Sequence, residues 1–376
     1  MIIKAENKMD RKLTKIALFS KWNAADGTSI LAELIGRELV KKYGLTVFAP
    51  INDVKPVKGI TDEDFVIRCC NVQGTSSGQW TFDQKPFLEK DYDILIVQRI
   101  EWIPIEELLK IYPKIKEKAK VIYVIHETKL PQHPIFWKFR WDAVICFDDR
   151  YKRMWKEVYP EEKIHIIPYP CNPVRRGDKN ESRLELNLPL DTKIVFMYGW
   201  YPKTHIFALL PYLAELRKQY DFVLLLVIAR EHLDEELLKE IERHDFIEWR
   251  DELPPTPKID RYFHASDAHI FYKPKAEFKP GEIMVSSSIL SYLGTLTPVL
   301  AIESPHIQLL GGAVMKFSDM EGLKDRLISV IQEKPIVNET LKLAEEYVSR
   351  NSKDKIAQEY MKLIESLTAT SGTSRR

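Results

Sequence analysis

Short β-branched apolar runs alternate with longer helical patterns along nearly the whole chain, a rhythm that parallel sheets wrapped in helices accommodate and most other architectures do not. In the first half the runs are Lys15–Ser20, Thr46–Pro50, Phe65–Cys70, Ile94–Ile100, Val121–His126, Ala143–Phe147 and Ile164–Pro168. The second half repeats the pattern at Ile194–Tyr198, Phe222–Ile228, Phe246–Trp249, Ala268–Tyr272, Pro298–Ile302 and Val314–Phe317. Several are apolar at every position, as strands buried between two helical layers must be. Helical periodicity marks Ile30–Lys42, Phe207–Gln219, Leu233–His244, Leu323–Glu333, Glu339–Arg350 and Lys353–Leu367. Between the halves, Pro168–Asn187 carries prolines and an Arg-Arg-Gly-Asp stretch and reads as an irregular linker.

With 376 residues the chain is long enough for two domains, each with its own core. The expected architecture is α/β: two doubly wound domains, 1–172 and 173–350, facing across a cleft, with 351–376 as a helix that crosses back to the first domain and a frayed tail. Lys and Arg number 56 against 55 Asp and Glu, with no local basic stripe, so nucleic acid is excluded as a partner. Cys69, Cys70, Cys146 and Cys171 form neither a Cys-x-x-Cys pair nor a disulfide framework, which fits a reducing compartment. The N-terminal segment is polar and its first apolar run, Ile16–Phe19, is too short for a signal peptide or a membrane span, so a cytoplasmic protein is expected.

Ligands of doubly wound sheets sit at the carboxyl ends of the strands, which directs the search for site residues. After the first strand, Asp26-Gly27-Thr28 opens a helix and can face an anion or simply cap the turn. His126 follows the strand at 121–125, where a histidine can hydrogen-bond a sugar hydroxyl. In the second half, Gly199 ends a strand and Lys203 stands near the following helix start, where a cation is disfavoured unless it meets a phosphate. Arg230 ends the next strand; Glu282 and the serines Ser286 and Ser287 follow the strand at 268–272 and precede another helix. No His/Asp/Glu cluster has metal-ligand spacing. Phe136-Trp137-Lys138-Phe139-Arg140-Trp141 and Tyr151-Lys152-Arg153-Met154-Trp155-Lys156 interleave aromatics with cations. They read either as helix packing with snorkelling cations or as a weak peripheral contact with the membrane inner face.

Taken in order, these segments resemble the retaining nucleotide-sugar glycosyltransferases of family 4, which have the GT-B architecture. The resemblance runs through Glu161–Pro168, Ser182–Pro189, Lys193–Gly199, Ile259–Ala268, Thr297-Pro298-Val299 and Tyr347–Leu367. It implies a metal-independent enzyme without a cofactor, taking a UDP- or GDP-type sugar as donor and a glycan or lipid-linked acceptor. Gly199, Lys203, Arg230, Ser286 and Ser287 would then serve the donor, Asp26, Gly27 and Thr28 the acceptor side. His126 and Glu282 would face each other across the cleft as catalytic groups. The chain departs from the family at three places: Trp200 stands where an arginine is usual, and Ile283 and Ser291 where two glutamates are. Two other readings stay open: a GT-B protein that binds nucleotide sugar or glycan as the partner of an active enzyme, and a sugar-nucleotide epimerase.

Overall fold

The computed structural model describes residues 13–24, 26–51, 61–71, 81–99, 103–199, 203–252, 258–274, 277–279 and 281–371. Two all-parallel sheets organise them. The first contains β1 (Lys15–Phe19), β2 (Gly44–Pro50), β3 (Val66–Cys70), β4 (Ile94–Gln98), β5 (Lys120–Val124), β6 (Ala143–Cys146) and β7 (Ile164–Ile166), in the order β3-β2-β1-β4-β5-β6-β7. The second contains β8 (Lys193–Tyr198), β9 (Phe222–Val227), β10 (Ile247–Arg250), β11 (Ala268–Phe271), β12 (Val299–Ile302) and β13 (Met315–Phe317), in the order β10-β9-β8-β11-β12-β13. The most deeply buried runs are inner strands: β4, β6, β11 and β12 are buried at every residue, Gln98 on β4 and His269 on β11 included. Strand order reverses between β1 and β4 in one sheet and between β8 and β11 in the other. Each reversal opens a crevice at the carboxyl edge.

The helices are α1 (Gly27–Leu39), α2 (Lys85–Glu89), α3 (Ile105–Lys118), α4 (Asp149–Trp155), α5 (Lys179–Glu185), α6 (Lys203–Arg217), α7 (Glu235–Glu242), α8 (Ile259–Ala265), α9 (Ser287–Tyr292), α10 (Met320–Ile331), α11 (Pro335–Arg350) and α12 (Lys353–Ser371). One corrects the sequence reading. The segment expected to be irregular contains α5, capped by Asp178, whose carboxylate accepts from Glu181 N at 2.8 Å. Arg183 anchors it. The buried guanidinium donates to Ala265 O (2.9 Å), Leu190 O (2.6 Å) and Asp267 Oδ2 (2.7 Å), and Asp267 also accepts from Ile194 N at 2.8 Å. A tail expected to fray is helical through Ser371.

The two passes of the chain between domains run side by side. Cys171 and Ser352 form a parallel bridge; Cys171 N–H donates to Asn351 O (2.8 Å) and Lys353 N–H to Cys171 O (2.8 Å). Beyond them α12 returns to the first domain and lies along α1, burying Ile356, Ala357, Tyr360, Leu363 and Ile364, with Lys42 paired to Glu365 at 2.5 Å. In the aromatic and cationic stretches the rings pack inward: Phe136, Phe139, Trp141, Tyr151 and Trp155 are buried, and Tyr123 stacks on Trp141 at 4.9 Å between ring centres. These rings are core, and only their neighbouring cations Lys138, Arg140, Arg153 and Lys156 face out. Among the described residues no helix is long and apolar enough to cross a membrane.

Candidate active site between the two domains

The carboxyl edges of the sheets face each other across a seam that both domains close. Arg150, on α4 of the first domain, donates across it to Pro305 O (2.8 Å), Gln308 Oε1 (2.7 Å) and Met284 O (3.0 Å), while Asp148 holds the same guanidinium from below. Tyr151 OH donates to Ile283 O (3.2 Å), and Ile283 N–H to Thr128 O (3.0 Å). At the start of α1 the approach is closer still. A Cβ on Gly27 would lie 2.8 Å from Ser287 Oγ, so glycine is what lets the second domain seat there.

Above this seam lies a cavity of about 260 Å³. The first domain contributes Gly27, Thr28, Arg99, His126, Phe147 and Tyr169; the second contributes Lys273, Ser286, Ser287, Ser288 and His306. Of the residues singled out from sequence, the structure thus brings together Gly27, Thr28, His126, Ser286 and Ser287. Asp26 stands just behind them. Its carboxylate caps α1 by accepting from Thr28 N (2.9 Å) and Ser29 N (3.0 Å), and pairs with Lys21 at 2.7 Å. Those two amides are therefore committed to Asp26, and what α1 offers the cavity is the Thr28 hydroxyl, buried and without a partner. Ser286 likewise caps α9, its Oγ accepting from Ile289 N at 3.3 Å.

His126 is held by Gln98. Its Nε2 lies 3.2 Å from Gln98 Oε1, an acceptor-only oxygen, which assigns the ring proton to Nε2 and leaves Nδ1 as a lone-pair acceptor. Burial, with the Arg99 guanidinium adding to it, pushes this histidine down to about 3, so the ring is neutral at physiological pH. His306 is treated the same way by burial and by Lys273 and Arg150, also to about 3. Burial also lowers the Lys273 ammonium, with Glu277 opposing. Tyr169, whose OH donates to Gly27 O at 2.8 Å, is raised well above an ordinary phenol by burial.

Three other candidates lie elsewhere. Glu282 does not face His126: it lines an adjoining hollow with Arg150, Arg153 and Lys279 and accepts from Lys279 N at 3.4 Å. The loop from β11 carries it past the cavity rim. Arg230 is exposed, its guanidinium 5.9 Å above the Trp249 ring and its N–H on Asp251 at 2.7 Å. Gly199 ends β8 with φ 120°, a conformation that side chains avoid, and is absent from the cavity lining. Trp200 lies outside the described residues, as does the Lys203 side chain; the Lys203 backbone opens α6.

Sequence reasoning missed Arg99, Lys273, His306 and Tyr169. Lys273 follows a strand in the same way as His126, so the criterion that found one could have found the other. Arg99 was hidden because the apolar run carries on to Ile100, which put it inside the expected strand; the chain instead turns at Arg99 with φ 46°.

No family model matches the chain. Among solved structures it resembles a sucrose-phosphate synthase from Thermosynechococcus elongatus, with a TM-score of 0.66 at 15% identity over 95% of this chain and 100% of that one. A glycosyltransferase from Rickettsia africae matches with a TM-score of 0.65 at 15% identity, over 94% of this chain and 99% of that one. The Anabaena protein HepE, solved with UDP and glucose, matches with a TM-score of 0.65 at 14% identity, over 94% of this chain and 100% of that one. The likeness establishes the fold: two Rossmann-like domains in the GT-B arrangement.

Proposed function

We propose that the protein is a glycosyltransferase that moves a sugar from a nucleotide-diphosphate donor to an acceptor hydroxyl, with retention and without a metal. One observation carries the reading: a cavity at the facing carboxyl edges of two doubly wound sheets, where the second domain supplies a half-buried lysine and the first a neutral histidine. In the transfer the acceptor oxygen bonds to the anomeric carbon as the sugar–phosphate bond breaks, and the electron pair leaves with the diphosphate. Lys273 is placed to stabilise that growing charge in a site of low dielectric. His126, too weak a base to carry a proton away, suits the role of accepting a hydrogen bond from a hydroxyl at Nδ1. The departing phosphate, with a pKa of roughly 6, is the better destination for the acceptor proton.

Incubation with UDP- and GDP-sugars tests this. We expect release of the nucleoside diphosphate, sustained in excess chelator, with Lys273→Ala weakening nucleotide binding by about 1.5–3 kcal/mol, the loss of one charge-assisted hydrogen bond. Absence of binding by every donor refutes the reading. Binding without turnover favours a second one, a partner protein that has kept the donor site only. The placement of Glu282 outside the cavity, with Ser291 and Ile283 at the positions of the family's glutamates, is what supports that alternative.

A further inference from the structure

Three neighbouring strands of the first sheet bring polar side chains into one line at its carboxyl edge. Phe19 on β1 pairs with Val97 on β4, which sets Ser20 beside Gln98, and Gln98 pairs with Val124 on β5, just ahead of His126. The Ser20 hydroxyl donates to Gln98 Oε1 at 3.4 Å, and the same oxygen lies 3.2 Å from His126 Nε2. Ser20 and Gln98 are 1% and 2% exposed. Gln98 ends the strand Ile94–Gln98, whose other four residues are apolar, so a fifth apolar side chain would fill its place without the cost of burying an amide. Packing alone therefore gives no reason for a glutamine here. The hydrogen bond to the histidine does.

His126 is fixed on its other sides as well. Its backbone N–H donates to Glu127 Oε2 at 3.1 Å, the Tyr123 hydroxyl holds that carboxylate in turn, and the ring stands edge-on to Phe147 at 5.4 Å. With Nε2 taken by Gln98, Nδ1 is the nitrogen left for whatever enters the cavity that His126 and Phe147 line. The neutral imidazole carries one proton, and its place decides what the cavity offers. On Nε2 it leaves a lone pair at Nδ1, which takes a hydroxyl proton. On Nδ1 it would present an N–H, which attracts phosphate oxygens instead. We infer that Gln98, anchored by Ser20, is a positioning residue that keeps the proton of His126 on Nε2, so that His126 receives a sugar hydroxyl and turns the diphosphate away. The role in transfer rests on the glycosyltransferase reading; the place of the proton does not.

Two measurements on the full chain test this. Long-range proton–nitrogen correlation spectra of isotope-labelled histidine read the tautomer directly, the His126 signals being those that His126→Gln removes. The wild-type protein should carry the proton on Nε2. Gln98→Met keeps the length of the side chain and takes away the acceptor, so the proton should move to Nδ1, where the cavity can satisfy it. Should that variant fail to fold, the wild-type spectrum and Ser20→Ala still decide: freeing the amide to turn over should populate both tautomers. The second measurement is kinetic, with whichever UDP- or GDP-sugar is turned over. Gln98→Met should lower kcat about tenfold, the loss of one hydrogen bond, and change the Kd of the nucleoside diphosphate less than about twofold. It should cost nothing further in a chain that already carries His126→Gln. A wild-type proton on Nδ1, a tautomer that Gln98→Met leaves in place, or additive losses in the double variant each overturn the inference and leave the glycosyltransferase intact. If no donor is turned over, the parent reading fails and the role of Gln98 in transfer with it.

Discussion

Acidification should unfold this protein well before its carboxylates titrate. Burial pushes His126 and His306 down to about 3 and His269, on β11 with a backbone hydrogen bond partly opposing, to about 4, against an ordinary 6.5. The folded chain thus refuses protons that the unfolded chain accepts near pH 6.5. The stabilisation is complete above that pH and is lost as pH falls towards 4 and then 3. Each histidine costs about 1.4 kcal/mol at one pH unit below its unfolded pKa, so the three remove about 4 kcal/mol by pH 5.5, a large part of a domain's usual 5–15 kcal/mol. Asp267, held low although its own burial resists this, by Lys179, Ile194 N–H and Arg183, begins to lose its contribution only below its ordinary 3.8 and so lies outside the window. Glu33, raised by burial, acts in the opposite sense and offsets part of the loss at the acid end. Urea unfolding followed by circular dichroism at pH 7.5, 6.5 and 5.5 measures the slope. Two of the three histidines lie in the second domain, whose transition should therefore move further than the first, where burial lowers His165 on β7 as well and adds to the effect of His126. His269→Leu, which keeps an apolar side chain between Phe196 and Phe263, should reduce the second domain's slope by about one proton. An unchanged midpoint between pH 7.5 and 5.5, or an unchanged slope in the variant, would refute the reasoning.

Gly27→Ala should pry the domains apart at Ser287, raising the radius of gyration in solution scattering and lowering turnover; Ser287→Ala in the same chain should recover part of both, since it removes the oxygen at 2.8 Å and leaves the Cβ at 3.1 Å. Arg150→Ala removes three cross-domain hydrogen bonds from a charged donor and should open the seam at a cost of about 1.5–3 kcal/mol each way it is probed, by scattering or by protease susceptibility of the 283–308 region. Arg183→Met leaves the buried Asp267 short of its main buried partner and should destabilise the second domain by about 3–5 kcal/mol in urea; a loss under 1 kcal/mol would show that Lys179 compensates. His126→Gln should lower kcat more than nucleotide affinity, and Glu282→Gln should leave both near wild type, because only His126 lines the cavity.

The strands were legible because a run that is apolar on both faces has one comfortable place, between helical layers. All thirteen expected runs coincide with observed strands, as do the order of elements and the return of α12. Local signals failed where tertiary contacts decide. Prolines and an Arg-Arg-Gly-Asp stretch argue against a helix at 168–187, yet α5 forms because Arg183 finds two buried acceptors, Ala265 O and Asp267 Oδ2, that lie far along the chain. At the site, sequence order indicates which residues follow a strand but not where the loop then travels. That is why His126 lies in the cavity and Glu282, a longer loop away, lies in the next hollow. Arg99 needed knowledge of its backbone angle, which an unbroken apolar run conceals.

The return of α12 to α1 also constrains how the chain comes off the ribosome. Lys42 meets Glu365 across 323 positions of sequence, and the face of α1 that α12 covers stays open to solvent or a surrogate until α12 arrives. The first domain is therefore synthesised early and completed late, with the entire second domain emerging in between. During that interval α1 is a natural seat for a holdase. A nascent chain arrested before residue 353 should stay bound to one and be released only when α12 clears the exit tunnel.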